Sequence, residues 1–107
     1  MMTREKKLNL LGLAMRASAL ISGDEIVEKA AKSQRVHLVI CASDASIKTI
    51  ERYRMICERE NVPFNNEFTK YELSHAIGKS RTVLGIENKG FANKFLSYDM
   101  ESEESYD

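Results

Sequence analysis

Apolar positions recur along this 107-residue chain in two alternating rhythms. Leu8, Leu11 and Met15 fall at helical spacing, and Leu10, Leu13 and Ala14 widen the stripe, predicting an amphipathic helix over residues 5–17. Ala19-Leu20-Ile21 is too short for a helix and reads as a first strand or an extended segment. Ser22-Gly23-Asp24-Glu25 then opens a second helix, running to about Ser33. Ser22 and Glu25 stand at capping-box spacing, where a hydroxyl and a carboxylate each satisfy an open amide. His37–Ala42 is a continuous apolar run, expected of a strand covered on both faces. Ser43 or Asp44 caps a third helix. Ile47, Ile50, Tyr53 and Cys57 mark its buried side, and Lys48, Glu51, Arg52, Glu58 and Arg59 its wet side. Asn61-Val62-Pro63 ends that helix, because proline and the residue before it both resist helical geometry.

The second half continues the alternation. Residues 62–64 form a short strand, and Pro63 puts it at a sheet edge or a strand start. Thr69 and Glu72 make another capping box, opening a fourth helix through Ile77 that Gly78 stops. Lys79-Ser80-Arg81 is a polar loop and residues 82–86 are a strand. Asn88 caps a last helix, in which Phe91 and Phe95 pair one turn apart. The class is therefore α/β, with helices on both faces of one small sheet.

Composition narrows the function classes. Apolar residues make up 43% and charged residues 30%, the balance of one globular domain. No apolar run approaches the roughly 18 residues of a membrane span, and the charged start lacks the apolar block of a secretory signal. Cys41 and Cys57 are far apart and have no partners at ligand spacing, which argues against a zinc site or a disulfide scaffold and fits a reducing cytoplasm. The zero net charge hides an asymmetry. Residues 97–107 hold five acids and no base, so residues 1–96 hold sixteen bases against eleven acids. The expected division is one domain over 1–96 and an acidic, flexible tail over 97–107. That tail reads as a solubilising terminus, or as an intramolecular competitor for a basic patch.

Catalytic chemistry finds no foothold. His37 and His75 lack a Ser, Cys or Asp partner in a nucleophile motif, both cysteines lie in apolar stripes, and the five glycines are scattered rather than gathered into a phosphate loop. No catalytic residue, metal site or cofactor is expected, and the chain does not read as an enzyme. Anion binding fares better. Ile21-Ser22-Gly23-Asp24 leads into a helix N-terminus, whose open amides and positive dipole end attract phosphate; Lys29 and Lys32 follow on the same helix. An ordinary capped helix with solvated lysines, and an ordinary polar turn at Lys79-Ser80-Arg81, would look the same. The discriminating question is whether these two places meet at one end of the sheet, making a clamp for a nucleic-acid backbone.

The ordered set Leu11-Gly12-Leu13-Ala14-Met15-Arg16-Ala17, Leu20-Ile21-Ser22-Gly23-Asp24-Glu25, Lys29-Ala30, Leu38–Ser46, Asn61-Val62-Pro63 and Ala76-Ile77-Gly78-Lys79 resembles the ribosomal protein L7Ae and L30e family of kink-turn RNA binders, over nearly all of residues 4–96. The resemblance implies a three-layer α/β/α sandwich with a mixed four-stranded sheet. It also implies RNA held between the start of the second helix and the loop before the last strand. In the family a glycine precedes a polar pair and then a lysine. Gly23 matches the glycine and Lys29 the lysine, while the polar pair falls on Glu25 and Ile26, an acid and an apolar residue. The implied RNA-binding set is Gly23, Asp24, Glu25, Lys29, Lys32, Lys79, Ser80 and Arg81, with Arg16 a further candidate.

The expected activity is non-catalytic binding of structured, ribosomal or regulatory RNA, with neither DNA nor a membrane as partner. Two alternatives stand beside it. One is a protein-interaction adaptor, which Glu25 and Ile26 suit better than RNA. The other is a substrate-recognition domain like that of some RNA methyltransferases.

Overall fold

The computed structural model describes the backbone of residues 2–104 and the side chains of residues 2–100. In chain order the elements are α1 (Thr3–Arg16), β1 (Leu20–Ser22), α2 (Asp24–Lys32), β2 (Leu38–Cys41), α3 (Ile47–Glu60), β3 (Phe64–Asn65), α4 (Lys70–Ile77), β4 (Val83–Ile86) and α5 (Lys89–Glu104). The strands form a mixed four-stranded sheet in the order β1-β4-β2-β3. β4 pairs antiparallel with both β1 and β2, and β3 joins β2 in parallel as an edge strand. Pro63, which has no amide hydrogen to give a ladder, sits just before that edge.

Period-two alternation splits the strand side chains between two cores. Leu20, Leu38, Ile40, Leu84 and Ile86 pack with α1, α4 and α5 around Leu11, Leu73 and Phe95. Val39, Cys41 and Val83 pack with α2 and α3 around Val27, Tyr53, Ile56 and Cys57. The result is the expected α/β/α sandwich. β2 and β4 are buried at every position, as their unbroken apolar runs require.

Three local expectations give way. The Ser22–Glu25 capping box does not form: Gly23 is the N-cap of α2, with no side-chain cap. Ser22 is held in β1 opposite Leu84, and its hydroxyl accepts from Arg81 Nε at 3.1 Å instead. Neither Ser43 nor Asp44 caps α3. Ser46 does so, accepting from the Thr49 amide, while Asp44 reaches across to accept from the Lys70 amide at 2.8 Å at the start of α4. Ile47 stands 75% exposed, because the stripe of α3 meets the sheet only from its second turn.

The last helix is also longer than the charge pattern suggests. α5 runs on past residue 96 because its later turns still touch α1. Asp99 accepts from Lys7 Nζ at 2.6 Å, and the Lys6 ammonium lies 5.8 Å from the Tyr98 ring centre. Residues 105–107 of the expected tail lie outside the described residues.

Candidate nucleic-acid interface

The end of β1, the mouth of α2 and the loop before β4 come together through backbone bonds. The Gly23 amide donates to the Val83 carbonyl at 3.0 Å, so the residue that opens α2 is tied to the first residue of β4. Gly23 has φ +116° and ψ 145°, a region open to glycine alone. A Cβ there would meet nothing within 4 Å, so the mouth is also unobstructed. Val27 makes the first intrahelical bond, to the Gly23 carbonyl, which leaves the amides of Asp24, Glu25 and Ile26 ahead of the helical ladder.

The opposing wall is the 78–82 loop. Gly78 closes α4 in the left-handed conformation (φ +79°), turning the chain at once. The Ser74 hydroxyl then binds both backbone groups of Arg81, accepting from its amide at 3.0 Å and donating to its carbonyl at 3.2 Å. The Arg81 guanidinium crosses to Ser22 and donates to the Ser80 carbonyl at 2.9 Å. Lys79 and Ser80 are thereby held outward and exposed. Between the walls lies a cleft of about 270 Å³, lined by Gly23, Asp24, Thr49, Ser80, Arg81, Thr82 and Val83.

The helical period sorts the polar residues of α2. Asp24 and Glu28, one turn apart, face α3. The Asp24 carboxylate accepts two bonds from Arg52, at 3.0 and 2.9 Å, and one from the Tyr53 hydroxyl at 2.6 Å; Arg52 also bridges to Glu28. These bonds to Arg52 and Tyr53 hold the Asp24 carboxyl below its ordinary range. Burial, with Asp24 close by, pushes the Tyr53 phenol up. Asp24 therefore offers the mouth its amide, and its side chain anchors α2 to α3. Glu25 and Lys29 lie on the outward face, with Lys29 about 8 Å along the axis from the first residue. Lys32, about 12 Å along, donates to Glu28 at 2.8 Å. Among the described residues Lys29 and Lys79 have no ion-pair partner. Ile26 is 58% exposed beside the open amides.

The structure thus brings Gly23 and Asp24 into one cleft with Ser80 and Arg81; Lys79 stands outward on the adjoining loop, Glu25 and Lys29 lie on the outward face of α2, and Lys32 is at its far end. Thr49, which lines the cleft from α3, carried no signal in sequence because its approach depends on how α2 and α3 pack. Burial pushes the Cys41 thiol up to about 11 and the Cys57 thiol to about 12, so neither is a nucleophile near neutrality.

Fold and site together define a small α/β/α protein in which helix amides and a cationic loop share one end of the sheet. The chain belongs to the ribosomal protein L7Ae/L30e/S12e/Gadd45 family, whose model matches residues 5–96. It is 38% identical over 91 residues to the RNA-binding protein YlxQ of Enterococcus faecium, covering 85% of this chain and 88% of that one. It is 37% identical over 89 residues to the RNA-binding protein YlxQ of Bacillus subtilis (strain 168), covering 82% and 89%. A solved structure from Bacillus halodurans C, of a protein of unknown function, superposes with a TM-score of 0.84 at 39% identity, over 87% of this chain and 95% of that one. The Giardia lamblia 15.5kD RNA binding protein shares the fold, with a TM-score of 0.79 at 23% identity, over 94% and 88%.

Proposed function

We propose that this protein binds structured RNA without catalysis, holding the phosphate backbone between the mouth of α2 and the 79–81 loop. The observation that carries the reading is the pair of cross-links, Gly23 amide to Val83 carbonyl and Arg81 guanidinium to Ser22 hydroxyl. They hold the start of α2 and the loop before β4 on one cleft, which supports a two-sided contact with phosphate. The relatives named as RNA-binding proteins support the same reading. Backbone amides and cations that face one way suit a bent backbone better than a straight duplex, so a kink-turn-like element of a ribosomal or regulatory RNA in the cytoplasm is the expected target. Glu25 can accept from a guanine amino group, whereas Ile26 offers no hydrogen bond. Recognition therefore rests on shape and phosphate contacts more than on base edges.

The test is titration of fluorescently labelled kink-turn and plain-duplex RNAs at several salt concentrations. With about four cationic contacts, the logarithm of affinity falls with the logarithm of salt at a slope of about −3 to −4. Equal binding of both RNAs removes the kink-turn preference, and no binding at low salt removes the RNA reading. Exposed Ile26 favours a second reading, a protein-interaction adaptor on the same end. Reversing the charge of Lys29 and Lys79 separates the two: RNA binding collapses, while a contact built on Ile26 survives.

A further inference from the structure

The outward face of α4 carries aromatic surface that the core does not use. Tyr71 is 77% exposed, and its ring stacks on the exposed His75 one turn later, with centroids 6.1 Å apart and planes 24° from parallel. The pair forms one wall of a shallow depression of about 280 Å³, whose other residues are Ser74, Gly78, Lys79 and Ser80. That depression therefore borders the loop after α4 through Lys79 and Ser80. His75 also lines a neighbouring groove of about 480 Å³ between α1 and α4, together with Gly12, Ala76 and Arg16. A Cβ built on Gly12 would lie 3.1 Å from the Ala76 carbonyl and 3.6 Å from Arg16 Nη1, so the guanidinium lies over the seam between the two helices. The carboxylates of this groove sit elsewhere. Glu72 is used by its capping box and by Arg4, and Glu5 lies about 16 Å along α1 from Arg16.

A flat ring pair flanked by Arg16 on one side and Lys79 on the other matches an unpaired nucleotide. A base has a face to stack and a phosphate to pair with a cation, and such platforms tolerate any base. An apolar protein segment would gain little from the cationic flanks. We propose that Tyr71 and His75 form a stacking platform for an unpaired nucleotide that flanks the RNA element held at α2, with Arg16 and Lys79 as its phosphate contacts. This rests on the RNA reading above and extends its footprint along α4.

The test compares two labelled RNAs, a blunt kink-turn stem and the same stem with a short tail of unpaired adenosines, one of them 2-aminopurine. The native protein prefers the tailed RNA by about tenfold and quenches the 2-aminopurine on binding, as stacking of a base or two requires. Tyr71→Ala abolishes both the preference and the quenching, so that the two RNAs bind alike. Tyr71→Phe keeps both. If the native protein binds both RNAs equally and Tyr71→Ala changes neither, the platform is overturned while the RNA reading stands; the face is then left to a protein contact. If the native protein binds neither RNA, both readings fall together.

Discussion

Two residues at the mouth of α2 have consequences that can be measured separately. Gly23 occupies a backbone region that L side chains avoid, and the space around it is open, so a substitution there acts through strain alone. Gly23→Ala is expected to cost about 1–3 kcal/mol, read from urea unfolding. It should weaken RNA binding as well, because relief of the strain moves the amides that follow. Asp24 next door links stability to pH. Its carboxyl is lowered in the folded state, first by the Arg52 hydrogen bonds and then by the Tyr53 hydroxyl. A lowered carboxyl contributes stability above its unfolded value and loses it as pH falls through the folded one. As pH falls past the ordinary aspartate value of about 4 and on through the lowered folded one, the native protein should therefore lose stability that Asp24→Asn lacks from the start, and the two urea midpoints should converge in acid. The difference is modest, since the Asp24 side chain is half exposed and screened by water. A constant gap down to acid pH would show that Asp24 holds Arg52 and Tyr53 by geometry rather than by charge.

At the scale of elements, the α1–α4 seam holds the cationic loop in place. Gly12 permits the close approach, since a Cβ would press on the Ala76 carbonyl at 3.1 Å, where the backbone cannot easily give way. Gly12→Val should cost about 1–3 kcal/mol in urea unfolding. It should also speed amide hydrogen exchange at residues 79–82, because α4 carries Ser74, the tie to Arg81. Unchanged exchange there, despite the loss of stability, would disconnect the seam from the loop. How readily an element shows in sequence follows the reach of its contacts. The Thr69–Glu72 box was legible because both partners lie within one turn. The Ser22–Glu25 box failed because strand pairing and Arg81, 59 residues away, claimed Ser22. The helical period named the buried face of α3 but not how far the sheet extends beneath it, hence exposed Ile47. Lys7 is the plainest case of a distant claim. Only 3% of it is exposed; burial alone would lower its pKa, yet bonds to Asp99 and Glu67 outweigh that and raise it. Neither partner is within reach in sequence. The candidate site was legible in its two halves, Gly23 and Lys79–Arg81. Their meeting was not legible in the residues' own pattern, since it depends on β1 and β4 being neighbours; the family resemblance alone implied it.

For the molecule as a whole, charge distribution bears on how fast RNA arrives. Sixteen bases and sixteen acids cancel, yet five of the acids lie beyond residue 96. Truncation after Met100 removes Glu101, Glu103, Glu104 and Asp107 and keeps Asp99 on Lys7, so the docking of α5 on α1 survives and the net charge rises by four. A long-range field acts on encounter. The association rate for RNA should therefore rise several-fold at about 0.05 M salt, where screening extends beyond 10 Å, and the gain should vanish by about 1 M, where it reaches only about 3 Å. The dissociation rate should stay the same, because no cleft residue is touched. Stopped-flow binding at a series of salt concentrations reads both rates at once. If the truncation instead speeds association at every salt concentration, the acidic end occupies the cleft as a local competitor that RNA must displace.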